Sequence, residues 1–373
     1  MPRTVQLAAV QMDANPAGTA ERIARADRLV RQAADAGAQL IVLPELFHLG
    51  YGYDDSNFAR AETLHGPSVT WMRDLAAGLG VHLAGSVLLR DGGEIYNALL
   101  LFAPNGRMWR YDKNYPWGWE RGYFIGRRNT VVANTELGRI GMLVCWDAAH
   151  RNLWREYAGK VDVMIISSCP PDVGNGTYHF PDGDTITVRE LGPLMASTQP
   201  TARRVFGDMI NQQTAWLGVP TVASVGSGRI QTAIPRGKAV LAGLLPFAPQ
   251  LAKHLHHADQ LELSCAITQG CKVVDGHGVV LTELPANSPE GWTLAATTLP
   301  DGTPQPRGSQ PPSTANAISY LLSDWFLPTL MRKIYRDGKN GVPTKQSMYG
   351  RIALVTGLVA LLLWLRSRRL GGE

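Results

Sequence analysis

Four residues that lie far apart in the sequence have the chemical types needed to attack the carbon of an amide or a nitrile: Cys145, Glu45, Lys113 and Glu120. A cysteine is a nucleophile as its thiolate, and a thiol with a pKa near ~8.5 needs a base or a cation beside it. A carboxylate can take that proton and later deliver it to the leaving amine. An ammonium group can stabilise the negative oxygen of a tetrahedral intermediate.

The sequence around Cys145 predicts that the thiol lies where a buried strand meets a helix. Residues 140–145 are mostly β-branched or apolar, and residues 148–157 are compatible with a helix. Strand ends of this kind are where α/β proteins present reactive groups. The first free N–H groups of a helix also favour a thiolate, so we expect the pKa of Cys145 to be lowered.

Each of the four residues also has an ordinary structural explanation when it is taken alone. Most buried cysteines act as small hydrophobic side chains. Glu45 follows an apolar strand and can be a solvated charge at its end, while Lys113 and Glu120 can form a surface ion pair. Only their joint occurrence, with the flanking sequence described below, favours catalysis.

The elements that must position these residues alternate between strand and helix patterns. Residues 4–11 read as a strand, residues 19–36 as an amphipathic helix, and residues 39–44 as an almost wholly apolar strand. Later segments add both parallel and antiparallel pieces, including a hairpin around residues 275–278. The alternation predicts an α/β protein.

Five motifs occur in one order and together resemble the nitrilase, or carbon–nitrogen hydrolase, superfamily. They are AAVQMD in the opening strand, LPEL at 43–46, the lysine after GRMWRYD, ERGYFIG, and GMLVCWD; the later hairpin KVVDGHG resembles a further family feature. The resemblance covers residues 4–299. It implies a four-layer αββα sandwich for residues 1–299, and the chain adds a C-terminal hydrophobic helix.

The resemblance also assigns roles to individual residues. Glu45 becomes the base, Lys113 the electrostatic stabiliser, Cys145 the nucleophile and Glu120 the second glutamate. No metal and no cofactor is implied, and homo-oligomerisation is expected. The substrate-binding residues that we predict are Trp146, Tyr51 and His150. The family often has an Arg-Phe-Pro-like segment after the cysteine, where residues 148–151 read AAHR, so the resemblance does not identify the substrate.

Two stretches are longer than simple family loops, namely residues 172–200 and residues 229–263. The second contains an apolar run that could recognise an acyl chain, touch a bilayer, or pack as a helix on the domain. It also contains His254, His256 and His257, but no acid or cysteine cluster accompanies them at ligand spacing. We therefore predict a solvated helix end there rather than a metal site.

Composition excludes several functional classes. The net charge is +5 and the basic residues are scattered except after Arg332, so no nucleic-acid groove is expected. Four cysteines in 373 residues, with no C-x-x-C pair, indicate neither a disulfide framework nor a zinc ribbon. The opening residues lack the apolar core of a signal peptide, and we expect the catalytic domain to be cytoplasmic.

The C-terminal part differs in composition from the rest. Residues 300–316 are rich in Pro and Gly and predict a linker, and residues 317–337 predict an amphipathic helix lying in a membrane interface. Residues 348–366 include the uncharged stretch 352–365 and predict a transmembrane tail anchor. The alternative is that this tail packs against the domain or a partner chain.

The sequence thus predicts a membrane-anchored cysteine amidohydrolase that cleaves a non-peptide C–N bond of a small amide or related substrate through a Cys145 thioester. Three alternatives remain open: a nitrilase in the strict sense, an N-acyltransferase that passes the same thioester to an amine, and a catalytically silent membrane scaffold.

Overall fold

The computed structural model describes residues 3–246, 248–299, 302 and 304–343. Three long strands, Arg3–Asp13, His82–Asp91 and Glu94–Phe102, are mostly apolar and are buried along nearly their whole length. In chain order the strands are β1 Arg3–Asp13, β2 Leu40–Val42, β3 His82–Asp91, β4 Glu94–Phe102, β5 Met108–Asp112, β6 Val132–Thr135, β7 Gly138–Val144, β8 Val163–Ser168, β9 Thr177–His179, β10 Thr185–Thr187, β11 Thr221–Ser227, β12 Arg229–Ala233, β13 Glu262–Ala266, β14 Lys272–Val274, β15 Val280–Glu283 and β16 Gly291–Leu299.

The helices vary widely in length, and several are single turns. The α-helices are α1 Thr19–Asp35, α2 Ser56–Ala59, α3 Pro67–Leu79, α4 Arg151–Tyr157, α5 Pro193–Ala196, α6 Thr201–Arg203, α7 Ile210–Leu217, α8 Gly237–Leu244, α9 Ala317–Tyr320 and α10 Leu327–Lys339. Two π-helical turns, Arg204–Met209 and Leu321–Phe326, continue α6 and α9. The 3₁₀ turns are Gly118–Gly122, Cys145–Ala149, Val173–Asn175, Val188–Leu191, Pro249–His254 and Ala258–Gln260.

Two sets of strands form the core. One set has the order β5-β4-β3-β2-β1-β16, and the other has the order β6-β7-β8-β11-β14-β15. They join where Met12 and Asp13 of β1 pair in parallel with Gly226 and Ser227 of β11. The α/β class predicted from the sequence is confirmed, with a sheet-rich core and helices packed on it.

The first set of strands carries α1 and α3 on one face. Its apolar side chains meet Leu29 and Val30 of α1 and Met72 and Ala76 of α3, and all four are buried. On α1 the buried positions recur every three or four residues, which is the spacing of one helical face. The helix predicted at 19–36 is therefore present, and its apolar face packs on the strands as the sequence pattern indicates.

The two long stretches noted in the sequence come together as one small sheet. Strands β9 and β10 lie within residues 172–200. Strand β12 begins residues 229–263, and β13 starts at the end of that stretch. They pair in the order β10-β9-β13-β12. Helix α8 belongs to the second stretch and has Val240 and Leu241 buried. Of the three readings considered for its apolar run, the structure shows packing on the domain.

We call residues 304–343 the C-terminal segment. Its first part was predicted to be a linker, but it runs bound along the protein: the Arg307 backbone N–H donates to the Trp216 carbonyl (2.8 Å), and the Gln310 side chain donates to the Arg151 carbonyl (2.8 Å). Hydrogen bonds thus hold this stretch against the protein, although its composition is typical of a flexible linker.

The amphipathic helix predicted in a membrane interface is present, but its apolar side is turned toward the protein. Met331 and Ile334 of α10 are buried, and Ile334 packs against the turn that contains Gly122. A side chain at Gly122 would approach Ile334 to 3.2 Å, so the glycine permits the helix to lie close. The residues that would enter a membrane surface are already covered, which is a correction to that expectation.

The predicted tail anchor, residues 348–366, lies outside the described residues. Within the described ranges, no helix combines the length and the apolarity needed to cross a membrane.

Candidate active site

The structure brings the four residues singled out above to one place. Cys145 follows β7 directly, Lys113 follows β5 directly, and Glu45 comes shortly after β2. Glu120 lies in the 3₁₀ turn Gly118–Gly122. All four side chains are buried, with Lys113 fully inaccessible to solvent. The surface ion pair considered for Lys113 and Glu120 is therefore excluded.

Lys113 bridges the two glutamates. Its Nζ donates to Glu45 Oε1 at 2.8 Å and to Glu120 Oε2 at 2.6 Å. An ammonium group has three hydrogens to donate. Two are accounted for by these contacts among the described residues, which leaves one for an oxygen of a bound substrate.

The charges in this cluster do not balance when all groups are ionised. Two carboxylates share the single charge of Lys113, so one of them takes up a proton readily. Burial raises the pKa of Glu45; attraction to Lys113 opposes this and repulsion from Glu120 adds to it, which leaves the pKa at about 7. For Lys113, burial alone lowers the pKa, but Glu120 and Glu45 outweigh it and raise the pKa. The lysine stays charged while Glu45 can exchange a proton near neutrality.

Cys145 occupies a strained backbone conformation. Its φ is +48°, in the left-handed region that non-glycine residues rarely adopt, and Leu46, next to Glu45, has a φ of +52°. Burial and the charge of Glu45 raise the pKa of the Cys145 thiol well above its usual value. This corrects the expected lowering: a 3₁₀ turn rather than an α-helix follows the cysteine, and burial dominates. The thiol therefore needs a base to become nucleophilic.

A cavity of about 90 Å³ opens beside the thiol. Of the predicted substrate-binding residues, Tyr51 and Trp146 line it together with Cys145, whereas His150 does not. The Tyr51 hydroxyl donates to Glu120 Oε1 at 2.6 Å. One wall of the cavity is therefore anchored to the same carboxylate that holds Lys113.

Comparison with known proteins relates both the sequence and the fold to one family. The carbon–nitrogen hydrolase family model matches residues 6–182. A nitrilase from Pyrococcus abyssi is 29% identical over 147 residues, which is 38% of this chain and 56% of the relative. An omega-amidase from Danio rerio is 29% identical over 188 residues, which is 47% of this chain and 66% of the relative. The chain thus spans between about half and two thirds of the length of these relatives.

Solved structures give the same result for the fold. A CN-hydrolase superfamily protein from Xanthomonas campestris superposes with a TM-score of 0.57 at 18% identity, covering 80% of this chain and 91% of that one. An amidase from Nesterenkonia sp. gives a TM-score of 0.57 at 18% identity, covering 80% and 90%.

Residues 6–182 of this chain therefore resemble the carbon–nitrogen hydrolase family.

An aspartate that the sequence analysis left without a role fixes the loop that follows the lysine. Asp147, two residues after the cysteine, accepts hydrogen bonds from the backbone N–H of Tyr115 (2.7 Å) and of Asn114 (3.2 Å) and from the Tyr111 hydroxyl (2.8 Å). It thereby ties the turn after Cys145 to the loop that carries Lys113. Asp147 is visible in the sequence only as the last letter of CWD, and its partners are set by the tertiary fold.

Glu45 also has partners that the sequence analysis missed. The Asn97 side chain donates to its Oε1 at 2.8 Å, and the Cys169 backbone N–H donates to its Oε2 at 3.0 Å. Asn97 is a buried amide in the otherwise apolar strand β4, and such a polar residue in a buried strand is the signal that could have identified it. Both contacts fix the carboxylate while leaving its proton exchangeable.

His150 supports the site wall instead of contacting the cavity. Its ring stacks on Tyr115 with the centroids 3.6 Å apart, and its Nε2 lies 3.0 Å from Asp324 Oδ2. Asp324 also accepts a hydrogen bond from the Trp146 indole N–H at 2.9 Å. A carboxylate of the C-terminal segment therefore positions both predicted binding residues that follow Cys145. His179 lies in the small sheet, with its Nε2 2.7 Å from Ser264 Oγ.

The histidine-rich stretch does not present three clustered histidines. Among the described residues, the one group with ligand-like spacing is Asp182, Asp184 and His254, in which both acids are exposed. His254 stacks on Phe180 with the centroids 3.9 Å apart, and Lys253 pairs with Asp184 at 2.7 Å. His254 is buried beside two exposed acids, so the predicted solvated helix end is wrong for this residue.

Asp324→Ala is expected to lower kcat/KM for the substrate about tenfold or more, because the indole N–H of Trp146 loses its acceptor at the cavity wall. Asp324→Asn keeps an acceptor oxygen and should retain most of the activity. Steady-state kinetics of both variants, with the unfolding midpoint as a control, tests this role. Wild-type kcat/KM in the alanine variant would show that Trp146 is held by packing alone.

Proposed function

We propose that the chain is a cysteine amidase that hydrolyses the C–N bond of an amide through a Cys145 thioester. The observation that carries the proposal is the buried Lys113 ammonium held between Glu45 and Glu120, beside a thiol that faces a cavity. This arrangement supplies a nucleophile, a base with a pKa near neutrality and a cation for the developing oxyanion.

The first half of the reaction forms the thioester. Glu45 takes the proton from Cys145 Sγ as sulfur attacks the carbonyl carbon. The carbonyl oxygen becomes negative and is stabilised by the remaining ammonium hydrogen of Lys113, with the backbone N–H of Trp146 as the predicted second donor. When the C–N bond breaks, the nitrogen takes the proton from Glu45 and leaves as ammonia or an amine.

The second half releases the product. A water molecule gives a proton to Glu45 and attacks the thioester carbon, again forming an oxyanion beside Lys113. The C–S bond then breaks, and the proton held by Glu45 returns to sulfur. The products are a carboxylic acid and the regenerated thiol, so one water is consumed for each amide cleaved.

The relatives support an amide substrate without specifying it. Their names describe a nitrilase and an omega-amidase, and the similar structure from Nesterenkonia sp. is named an amidase. The intact group of Glu45, Lys113, Glu120 and Cys145 argues against a catalytically silent scaffold. Nitrile hydrolysis and acyl transfer use the same thiol and are separated by the assay below.

The test is ammonia release from a panel of primary amides and the nitriles with the same carbon skeletons. We expect ammonia from the amides, a carboxylic acid in equal amount, and no release by Cys145→Ala. Release from nitriles alone would make the chain a nitrilase, and a rate that depends on an added amine acceptor would make it a transferase. Activity on no member of the panel would contradict the amidase proposal.

We further propose the four-layer arrangement of the fold. Helices α1 and α3 cover the first set of strands, and α4 and α7, which contact each other, belong to the second. Homo-oligomerisation, membrane attachment through residues 348–366 and a cytoplasmic catalytic domain stay predictions that rest on the resemblance and on the sequence pattern.

A further inference from the structure

A second cavity, of about 90 Å³, lies next to the active-site cavity. Three parts of the chain build it. The first long stretch supplies Leu191 and Met195, the second supplies Val240 and Leu244, and the C-terminal segment supplies Phe326 and Leu327. No charged side chain of the described ranges lines this cavity. We call it the apolar chamber.

The apolar chamber adjoins the nucleophile. It shares wall residues with the active-site cavity, among them Trp117, Val173 and Leu322, and the active-site cavity in turn contains Cys145. A substrate held at the thiol therefore has an apolar space within reach in one direction.

The side of the thiol that faces Glu45 is filled by buried protein groups. Glu45 lines neither cavity, and its oxygens are occupied by Lys113, Asn97 and the Cys169 backbone N–H. The leaving nitrogen must reach Glu45 to collect its proton, so it points to this side. A large substituent on nitrogen has no room there, and the acyl group is the part of the substrate that extends toward the chamber.

We propose that the substrate is the primary amide of a long-chain aliphatic carboxylic acid, with the alkyl chain lying in the apolar chamber. This inference rests on the amidase proposal for the chemistry at Cys145. The selectivity comes from water exclusion: each methylene moved from water into the chamber is stabilised by about 0.8 kcal/mol. That value corresponds to a roughly fourfold gain in kcat/KM for each added methylene.

The test is a series of unbranched primary amides from acetamide through butanamide, hexanamide and octanamide to decanamide. We expect kcat/KM to rise by about fourfold per methylene until the chamber is filled. A series in which acetamide and decanamide are hydrolysed equally well would overturn the inference while leaving the amidase proposal intact. N-octylacetamide hydrolysed better than decanamide would also overturn it, because the chain would then lie on the nitrogen side.

Two neighbouring residues of α5 provide matched variants. Met195 lines the chamber, whereas Leu194 is 44% exposed and lines neither cavity. Met195→Trp should reduce the ratio of kcat/KM for decanamide to that for acetamide at least tenfold, since the indole occupies the chain site. Leu194→Trp should leave the ratio unchanged. Leu244→Trp fills the chamber from another helix and should repeat the loss. An unchanged ratio in both chamber variants would contradict the proposal.

A binding measurement distinguishes the chamber proposal from the amidase proposal. Cys145→Ala cannot form the thioester, so calorimetry with decanamide and acetamide reports occupancy of the chamber without turnover. Tighter binding of decanamide supports the chamber even if the wild-type protein releases no ammonia, in which case only the amidase proposal fails. Equal affinity for the two amides would overturn the chamber assignment whatever the catalytic result.

Discussion

Cys145→Ala is expected to abolish amide hydrolysis, with a loss in kcat on the order of 10⁶, the size seen when a catalytic nucleophile is removed. The thiol is the group that would form the covalent bond, and no other cysteine can replace it at the cavity: Cys169, Cys265 and Cys271 are absent from its walls. The methyl side chain is smaller than the thiol, so the neighbouring ion pairs can remain. Ammonia release and trapping of an acyl-protein by mass spectrometry measure the two consequences together.

A matched control is available in Cys265→Ala. Cys265 is also buried and its pKa is also raised by burial, but it lies in β13 of the small sheet. This variant should keep its activity and its acyl-enzyme mass shift. Loss of activity in both variants with unchanged folding would argue that the effect of Cys145→Ala is not specific to the nucleophile.

Glu45→Gln is expected to lower the rate of Cys145 acylation by about 10²–10⁴-fold, since an amide cannot accept the thiol proton. The effect should appear in the burst of ammonia released on mixing, and therefore before thioester hydrolysis. In glutamine one of the two oxygens is replaced by an NH₂ group, which donates and does not accept. Either Lys113 or the Cys169 N–H therefore loses its acceptor. The unfolding midpoint is measured alongside, so that loss of the base is distinguished from loss of the fold.

The same residue sets a pH dependence. Burial and the shared lysine leave the pKa of Glu45 at about 7, above the usual carboxyl value. The base works when it is ionised, so kcat/KM of the wild-type protein should fall as the pH is lowered through about 7. In Glu45→Gln this fall in kcat/KM at low pH should be absent. If that variant acylates normally and its kcat/KM still falls at low pH, another group is the base.

The motifs identified residues that the fold brings together, because these residues lie near strand ends and are recognisable from flanking sequence. Glu45, Lys113 and Cys145 each follow a strand that the sequence pattern also indicates. Residues that act through others were harder to find. Asp147 and Asn97 work through hydrogen bonds to loops and strands far away in sequence, and the one local signal is the polar side chain of Asn97 in a buried strand. Such contacts become visible only when the chain is folded.

The pKa of the thiol and the course of the C-terminal segment show two different limits of sequence reasoning. The segment has the composition of a linker and the amphipathic pattern of an interfacial helix, but pattern alone does not say which apolar surface a helix will cover. In the structure Tyr335 accepts a hydrogen bond from the Ile95 N–H at 2.9 Å, and α10 lies on the domain. The thiol pKa depends on how completely the fold excludes water, which the strand-to-helix pattern does not report.

The hydrogen bond between Trp146 and Asp324 also determines when the site can be assembled during synthesis of the chain. The two residues are 178 positions apart in the chain. At a synthesis rate of about 5–20 residues per second, the ribosome adds Asp324 roughly 10–35 s after Trp146. During that interval the nascent chain already contains its nucleophile but has neither the aspartate nor the last wall of the apolar chamber. The pocket therefore cannot be complete until the ribosome has added Asp324.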